Sequence, residues 1–265
     1  MLRSASWLIS FRLHLQTFIY QKGRYPSRAE KIDIAARRDR LRARIDRFHQ
    51  DAAKYFDDNF LNYLEGDAPA IPFHQENQIG DPIFTAVPIP TAHGETQGGQ
   101  PERSRLALPS SLPTDYFQSR GLQTLRDQEL ALRRGQAHDA LQAICLAIGQ
   151  KSFQFTTNMR HVDPNPSVTR PMAAIQALGR TISAHRRVYA RCRTAMQALD
   201  IPGADLITTY RVIEDADVKT DTSIEEPNER GAAREKLSWI FTVFRAHSSG
   251  PDYLQECMIF PCLLI

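Results

Sequence analysis

Arginine is the residue type whose number and spacing in this sequence could support chemistry, and that chemistry is the binding of phosphate. A first group recurs every three or four residues: Arg37, Arg40, Arg44 and Arg47. A second group recurs at i, i+7 and i+11: Arg180, Arg187 and Arg191. Either spacing lines one side of an α-helix, where guanidinium groups can meet DNA phosphates or simply face water. The sequence alone favours the solvated face for both groups, with weak electrostatic DNA binding as the alternative.

No catalytic or metal-binding motif accompanies these arginines. The sequence lacks a glycine-rich phosphate loop, a GxSxG nucleophile motif and an HExxH motif. His161 and Asp163 form a single HxD pair beside the DPNP stretch, which is typical of a loop. The cysteines form no CxxC pair and are expected to be reduced thiols: Cys145, Cys192, Cys257 and Cys262. We therefore predict no catalytic residue, no metal site and no cofactor, and the sequence identifies no small-molecule ligand.

Charge is distributed unevenly, although the formal net charge of +3 identifies no partner. Six arginines and two aspartates lie between Arg37 and Arg47, whereas seven acids and one lysine lie between Glu214 and Glu229. Local basic faces are therefore expected, without the strongly basic composition of a dedicated nucleic-acid-binding protein.

An apolar seam gives the clearest helical pattern in the chain. Its eight members are separated alternately by three and four residues: Ile175, Leu178, Ile182, His185, Tyr189, Cys192, Met196 and Leu199. A helix with such a seam needs a partner helix, either in the same chain or in a second copy. Helix-mediated self-association therefore stays open. His185 is expected to be a hydrogen-bonded core residue.

The remaining periodicity predicts an all-α protein, an elongated antiparallel bundle of coiled-coil-like helices with a long, poorly ordered Pro/Gly-rich linker. An arginine-rich amphipathic helix is predicted over 27–64 and the linker over 65–113. The main helical region follows over 114–200, with Thr114 or Asp115 as the cap of its first helix. An acidic loop over 201–228 and a C-terminal helix and tail over 229–256 complete the order, Pro202 and Gly203 ending the preceding helix.

Both ends of the chain depart from this pattern. The first 29 residues contain no Asp or Glu and resemble a mitochondrial transit peptide in composition, although a truncated helical protein would look the same and is the preferred interpretation. Arg12 and His14 interrupt the apolar run, so we predict no membrane-spanning helix. Segments 1–26 and 257–265 are expected to be non-native, the first alternatively targeting-like.

Two glycines sit inside the predicted main helix, where glycine is unfavourable. Gly135 lies in LRRGQAHDAL, and the pair Gly-Gln recurs two heptads later at Gly149. We expect both glycines to let a neighbouring helix approach closely.

Several stretches in order resemble the C-terminal helical region of fungal KDZ (Kyakuja, Dileera, Zisupton) DNA transposases, which are associated with a CxC2-like cysteine cluster. They are LALPSSLP, LRRGQAHDALQAICLAIGQKSF, AIQALGRTISAHRRVYARCRTAMQAL, REKLSWIF and PDYLQE, preceded by RRDRLRARIDRFHQDAAKYF. The resemblance covers 27–256. It implies a nuclear protein that binds DNA or helps to assemble a transposition complex.

The resemblance does not extend to catalysis. The family's RNase H-like module with its acidic triad lies upstream of the matched region, so no catalytic residue is carried over. The cysteine cluster is also absent, and the chain ends in CMIFPCLLI where family members continue. The resemblance therefore implies a truncated, non-enzymatic remnant, with an intracellular helical interaction module of unknown partner as the alternative.

Overall fold

The computed structural model describes residues 2–22, 25–56, 60, 64, 100–113, 116, 121–155, 157, 169–219 and 238–243. Its helices are α1 (Leu2–Gln21), α2 (Arg28–Ala52), α3 (Gln123–Gln154), α4 (Thr169–Ala198) and α5 (Gly203–Thr208). Short 3-10 turns occupy Pro109–Ser111, Ala216–Val218 and Trp239–Phe241. These ranges contain no strand or sheet, which confirms the all-α prediction.

The chain divides into two compact units, and α3 and α4 contribute residues to both. Unit 1 comprises Met1–Gln136 and Arg191–Gly203. Unit 2 comprises Ala137–Ala190 and Ala204–Ile265.

Helix α2 begins where the sequence predicted and ends earlier. Ser27 Oγ accepts from the Glu30 N–H at 3.3 Å while Glu30 Oε2 accepts from the Ser27 N–H at 2.8 Å, a reciprocal cap. Its buried side chains follow the predicted stripe: Ile34, Leu41, Ile45, Phe48 and Ala52. The helix stops at Ala52 rather than Leu64, and a turn follows it. Tyr55 is exposed after this turn, whereas Phe56 is buried and its ring contacts those of Phe60 and Tyr116.

Helix α1 packs antiparallel against α2 and belongs to the core of unit 1. Lys22 pairs with Glu30 at 3.0 Å near one end of the hairpin, and Trp7 meets Arg44 toward the other. Among the described side chains of α1, the buried ones are Ala5, Leu8, Ile9, Arg12, Leu13, Leu15 and Ile19. Most of the segment expected to be non-native or targeting-like is therefore a structural element of this fold.

The segment 100–113 is also packed, so the predicted linker was wrong for these residues. Leu106, Ala107, Leu108, Pro109 and Leu112 are buried. Pro101, Pro109 and Pro113 disfavour an α-helix in this segment, which instead forms turns, among them the 3-10 turn at Pro109–Ser111. The rest of the predicted linker, 65–99, lies outside the described residues.

Helix α3 begins at Gln123, later than predicted. Gly121 has a left-handed φ of 66°, which an α-helix cannot accommodate, so no continuous helix runs from Thr114. Thr114 and Asp115 themselves lie outside the described residues, as do His161 and Asp163.

Helix α4 carries the predicted seam and ends in a Schellman motif. Six seam residues are buried, whereas Leu178 and His185 are half-buried. Asp200 takes φ 58°, its N–H donates to Gln197 O, and the Ile201 N–H donates to Met196 O. Arg126 Nε also donates to Leu199 O at 2.9 Å. The helix therefore ends before Pro202 and Gly203, to which the sequence assigned the stop.

In unit 2, side chains of α4 hold the segment that follows α5. Arg186, which is 4% exposed, donates to Asp215 Oδ1 at 2.8 Å and to Ile213 O at 3.2 Å. The Tyr189 hydroxyl donates to Arg211 O at 2.8 Å. The acidic loop predicted over 201–228 is thus largely irregular in its described part, as expected, with α5 as its brief helix.

The described end of the predicted C-terminal helix is a 3-10 turn. Ser238 is non-helical, with ψ 147°, and its hydroxyl donates to Asp217 Oδ1 at 2.9 Å. Ile240 is fully buried and the Trp239 ring lies 6.3 Å from Tyr189. These anchors hold the chain out of an α-helix at Ser238, whereas 229–237 and 244–265 lie outside the described residues.

The expectation that Gly135 and Gly149 permit close helix approach was wrong. Both glycines are exposed on α3, and a Cβ added at either position meets nothing within 4 Å. No neighbouring residue therefore requires glycine at either position.

Replacing Gly135 or Gly149 by alanine should stabilise the protein, by about 0.5–1 kcal/mol each, because alanine costs less backbone entropy in an open helix. Urea unfolding followed by circular dichroism measures this. Gly121→Ala is the matched control and should destabilise, since its open surroundings are combined with a left-handed φ. Destabilisation by Gly135→Ala would instead restore the close-packing interpretation.

Ile182→Ala should lower the free energy of unfolding by about 2–5 kcal/mol, because the side chain is 1% exposed within its own chain. Ile207→Ala, at a residue 73% exposed, should change it little. Sedimentation under folding conditions should show the same oligomeric state for both variants as for the original chain. A dissociated but equally stable Ile182 variant would identify the seam as an interface between copies.

Candidate nucleic-acid interface and buried arginine cluster

Helix α2 presents most of the first arginine group to solvent. Arg40, Arg44 and Arg47 are exposed, as predicted, and Arg37 is half-buried beside Asp33 at 3.0 Å. Their i, i+3, i+7 and i+10 spacing makes one stripe about 15 Å long on a regular helix. We call Arg37, Arg40, Arg44 and Arg47 the α2 stripe.

Aromatic rings of α1 support two members of the α2 stripe. The Arg44 guanidinium carbon lies 3.8 Å from the Trp7 ring centroid, and that of Arg37 lies 4.1 Å from the Phe18 centroid. Trp7 also stacks on Phe11, with centroids 4.9 Å apart and planes at 19°. Such stacking occupies the face of a guanidinium and leaves its N–H groups, which lie in the plane, able to donate elsewhere.

The second arginine group does not form the solvated face that its spacing predicted. Arg180 is exposed, but Arg187 is only 7% exposed. Arg191 is half-buried, and its Nη2 donates to Gln16 Oε1 at 2.7 Å. The prediction failed because helical spacing locates these residues relative to the seam, whereas α4 is covered on more than its seam side.

Arg191 belongs to a polar cluster in unit 1 that the sequence reading missed. Glu102, 3% exposed, accepts from Arg38 Nη2 at 2.7 Å and Nε at 3.1 Å through its Oε1. Its backbone carbonyl accepts from Gln16 at 2.8 Å and from Arg12 Nη2 at 3.3 Å. Glu102 thereby joins α1 and α2 to the segment 100–113.

Glu129 is the second carboxylate of this cluster and is fully buried. It accepts from Arg133 Nε at 3.1 Å, from the Ser110 N–H at 2.8 Å and from the Ser110 hydroxyl at 2.7 Å. The Arg133 guanidinium lies 3.5 Å from Gln136 Oε1, which also faces Cys192 Sγ at 3.8 Å. These contacts join α3 to the segment 100–113 and extend to Cys192 on α4.

Burial and the proximity of like charges shift the pKa values of several groups in and beside the cluster. Burial, followed by the proximity of Arg191 and Arg133, lowers the pKa of Arg12 to about 10. Burial and Arg133 likewise lower the pKa of Arg191 to about 10. Burial raises the pKa of Cys192 to about 11, so this thiol supplies no compensating negative charge near neutral pH.

We define the buried arginine cluster as Arg12, Arg38, Arg133 and Arg191 with Glu102 and Glu129. One weak sequence signal pointed to part of it, since Glu129 and Arg133 are four apart on a helix. Nothing in the sequence linked either residue to Ser110, nor Arg12 to Glu102, because those partners are distant along the chain.

The described residues contain no group of three or more His, Cys, Asp or Glu that could hold a metal ion. Their helices include none that is long and apolar enough to cross a membrane. Among the cysteines, Cys145 and Cys192 are reduced thiols, and Cys257 and Cys262 lie outside the described residues.

Glu129→Ala should lower the free energy of unfolding by about 3–5 kcal/mol, because it leaves the buried Arg133 charge and the Ser110 N–H without their acceptor. Thermal or urea unfolding measures the loss, and Asp139→Ala, an exposed acid on the same helix, is the control. Adding Arg133→Ala to Glu129→Ala should recover part of the loss. A loss below about 1 kcal/mol would be typical of a solvated pair and would contradict the burial.

Comparison with known proteins identifies no relative of this chain: no protein-family model, curated protein or solved structure matches it.

Proposed function

We propose that the α1–α2 hairpin binds DNA through its phosphates, with the α2 stripe as the contact surface. The observation that carries the proposal is the stacking of Arg44 on Trp7 and of Arg37 on Phe18. An arginine held in this way loses less side-chain entropy when it binds a phosphate than one extending freely into water.

Geometry and charge both suit a polyanion. The stripe is about 15 Å long, which corresponds to about four phosphates along one strand at 3.4 Å of helix axis each. Six arginines and two aspartates between Arg37 and Arg47 give a formal excess of four positive charges, or three once Arg38 is left out because it pairs with Glu102. The interaction is therefore expected to be electrostatic, tolerant of sequence and sensitive to salt.

The resemblance to KDZ transposases gives this proposal its context. We propose that the chain corresponds to the C-terminal helical region of such a transposase, an accessory region that acts in the nucleus. Two of the stretches that carry the resemblance meet in unit 1, since Ser110 of LALPSSLP and Arg133 of LRRGQAHDAL share Glu129. This contact supports a common structural role for the two stretches.

Neutralising the stripe should weaken DNA binding and its salt dependence. In fluorescence anisotropy with a labelled 20-base-pair duplex, Arg40→Ala/Arg44→Ala/Arg47→Ala should reduce the slope of log K against log salt by about 2–3, because three phosphate contacts are lost. The matched control removes the same charge from three exposed residues of unit 2, as Arg180→Ala/Arg211→Ala/Lys219→Ala.

The control variant should retain most of the affinity if the stripe is the contact surface. Equal weakening by both triple variants would show that only net charge matters, and binding unchanged between 50 and 200 mM salt would exclude phosphate contact altogether. Trp7→Leu should weaken binding without changing the salt slope, because it releases Arg44 but keeps its charge.

A further inference from the structure

We propose that the buried arginine cluster binds a small oxyanion with two negative charges, an inorganic phosphate or a phosphate monoester, between Arg12 and Arg191. This inference is independent of DNA binding by the α2 stripe, because it concerns other residues in the interior of unit 1.

One amide side chain, that of Gln16, links the two arginines. Gln16 donates through Nε2 to Glu102 O at 2.8 Å and accepts through Oε1 from Arg191 at 2.7 Å. Arg12 donates to the same Glu102 carbonyl at 3.3 and 3.4 Å. Arg12 and Arg191 are thus joined through the Gln16 amide and one backbone carbonyl, and both of these groups are neutral.

The charges of the cluster do not balance. Four arginines face two carboxylates, which leaves an excess of two positive charges if all six groups are ionised. Glu129 is engaged by Arg133 and Ser110, and Glu102 is paired with Arg38. Among the described residues, neither Arg12 nor Arg191 forms an ion pair with a carboxylate. Because uncompensated buried charge is costly, a dianion would stabilise this arrangement.

Chemistry and access favour a small phosphate over a DNA backbone. Guanidinium groups match the oxygens of phosphate with pairs of N–H donors, and two of them balance a doubly charged oxyanion. Arg12 is 7% exposed, too little for contact with a duplex, whereas Gln16 and Arg191 are half-buried and keep part of their surface in contact with solvent.

Binding can be tested with the full chain and sodium phosphate as the probe. Thermal unfolding should show a saturable rise in Tm with phosphate that sodium chloride at the same ionic strength does not produce. Isothermal titration should give one phosphate per chain. A Tm that depends only on ionic strength, with no titration heat, would overturn the proposal.

Variants separate binding from a merely structural role. Arg12→Gln and Arg191→Gln should each abolish the phosphate-dependent rise, whereas the exposed Arg40→Gln should keep it. In phosphate-free buffer Arg191→Gln should be at least as stable as the original chain, because it removes uncompensated charge. If both cluster variants retained the full phosphate response, the site would lie elsewhere and the proposal would fail.

Chemical protection keeps the test decisive even if the variants fold poorly. Phenylglyoxal modification of the original chain, read by peptide mass spectrometry, should be slowed at Arg191 by phosphate and unaffected by phosphate at Arg180. Equal rates at Arg191 with and without phosphate would contradict the proposal. Stronger protection by a DNA duplex than by phosphate would also overturn it and assign Arg191 to the nucleic-acid surface.

Discussion

Burial of Glu129 is the constraint on which unit 1 depends. An ionised carboxylate in an apolar interior is tolerated only where donors surround it, and here Arg133 and Ser110 supply them from two separate segments. The carboxylate therefore fixes where the segment 100–113 crosses α3. Glu102 makes a second fixed point on that segment by joining it to α1 and α2. Apolar contacts add stability, but they would tolerate sliding that these hydrogen bonds do not.

The two arginine populations of unit 1 show how environment decides the role of one residue type. Arg44 stacks on an exposed indole and keeps its charge in water, so it costs little to maintain and remains available to a partner. Arg12 has been removed from water and donates to a carbonyl, so its charge lowers the stability of the unit unless an anion compensates it. The proposed DNA binding by the α2 stripe depends on how its arginines are held at the surface, and the proposed anion binding in the interior depends on charge balance.

Periodicity in the sequence predicted the buried faces of α2 and α4, because a buried stripe must repeat with the helix. The stripe of α2 and the seam of α4 are buried largely as expected, and α2 begins at the predicted place, where Ser27 forms a capping box. Properties that depend on distant segments were not predictable in this way. Arg187 lies off the seam yet is buried. Gly135 is unfavourable in a helix, but no packing contact requires it. The candidate interface was half predicted, since its arginines were named but the rings beneath them were not.

The acid-free composition of the first 29 residues acquires a structural meaning in this fold. It suggested a targeting segment, yet α1 packs into unit 1 and carries Arg12 into the interior with no carboxylate on its own helix. Any compensation for Arg12 must therefore come from elsewhere. Glu102 lies close enough to raise the pKa of Arg12, but its Oε1 is already paired with Arg38. The acid-free composition that resembles a targeting segment thus contributes, in the folded protein, to the charge imbalance from which we infer an anion-binding site.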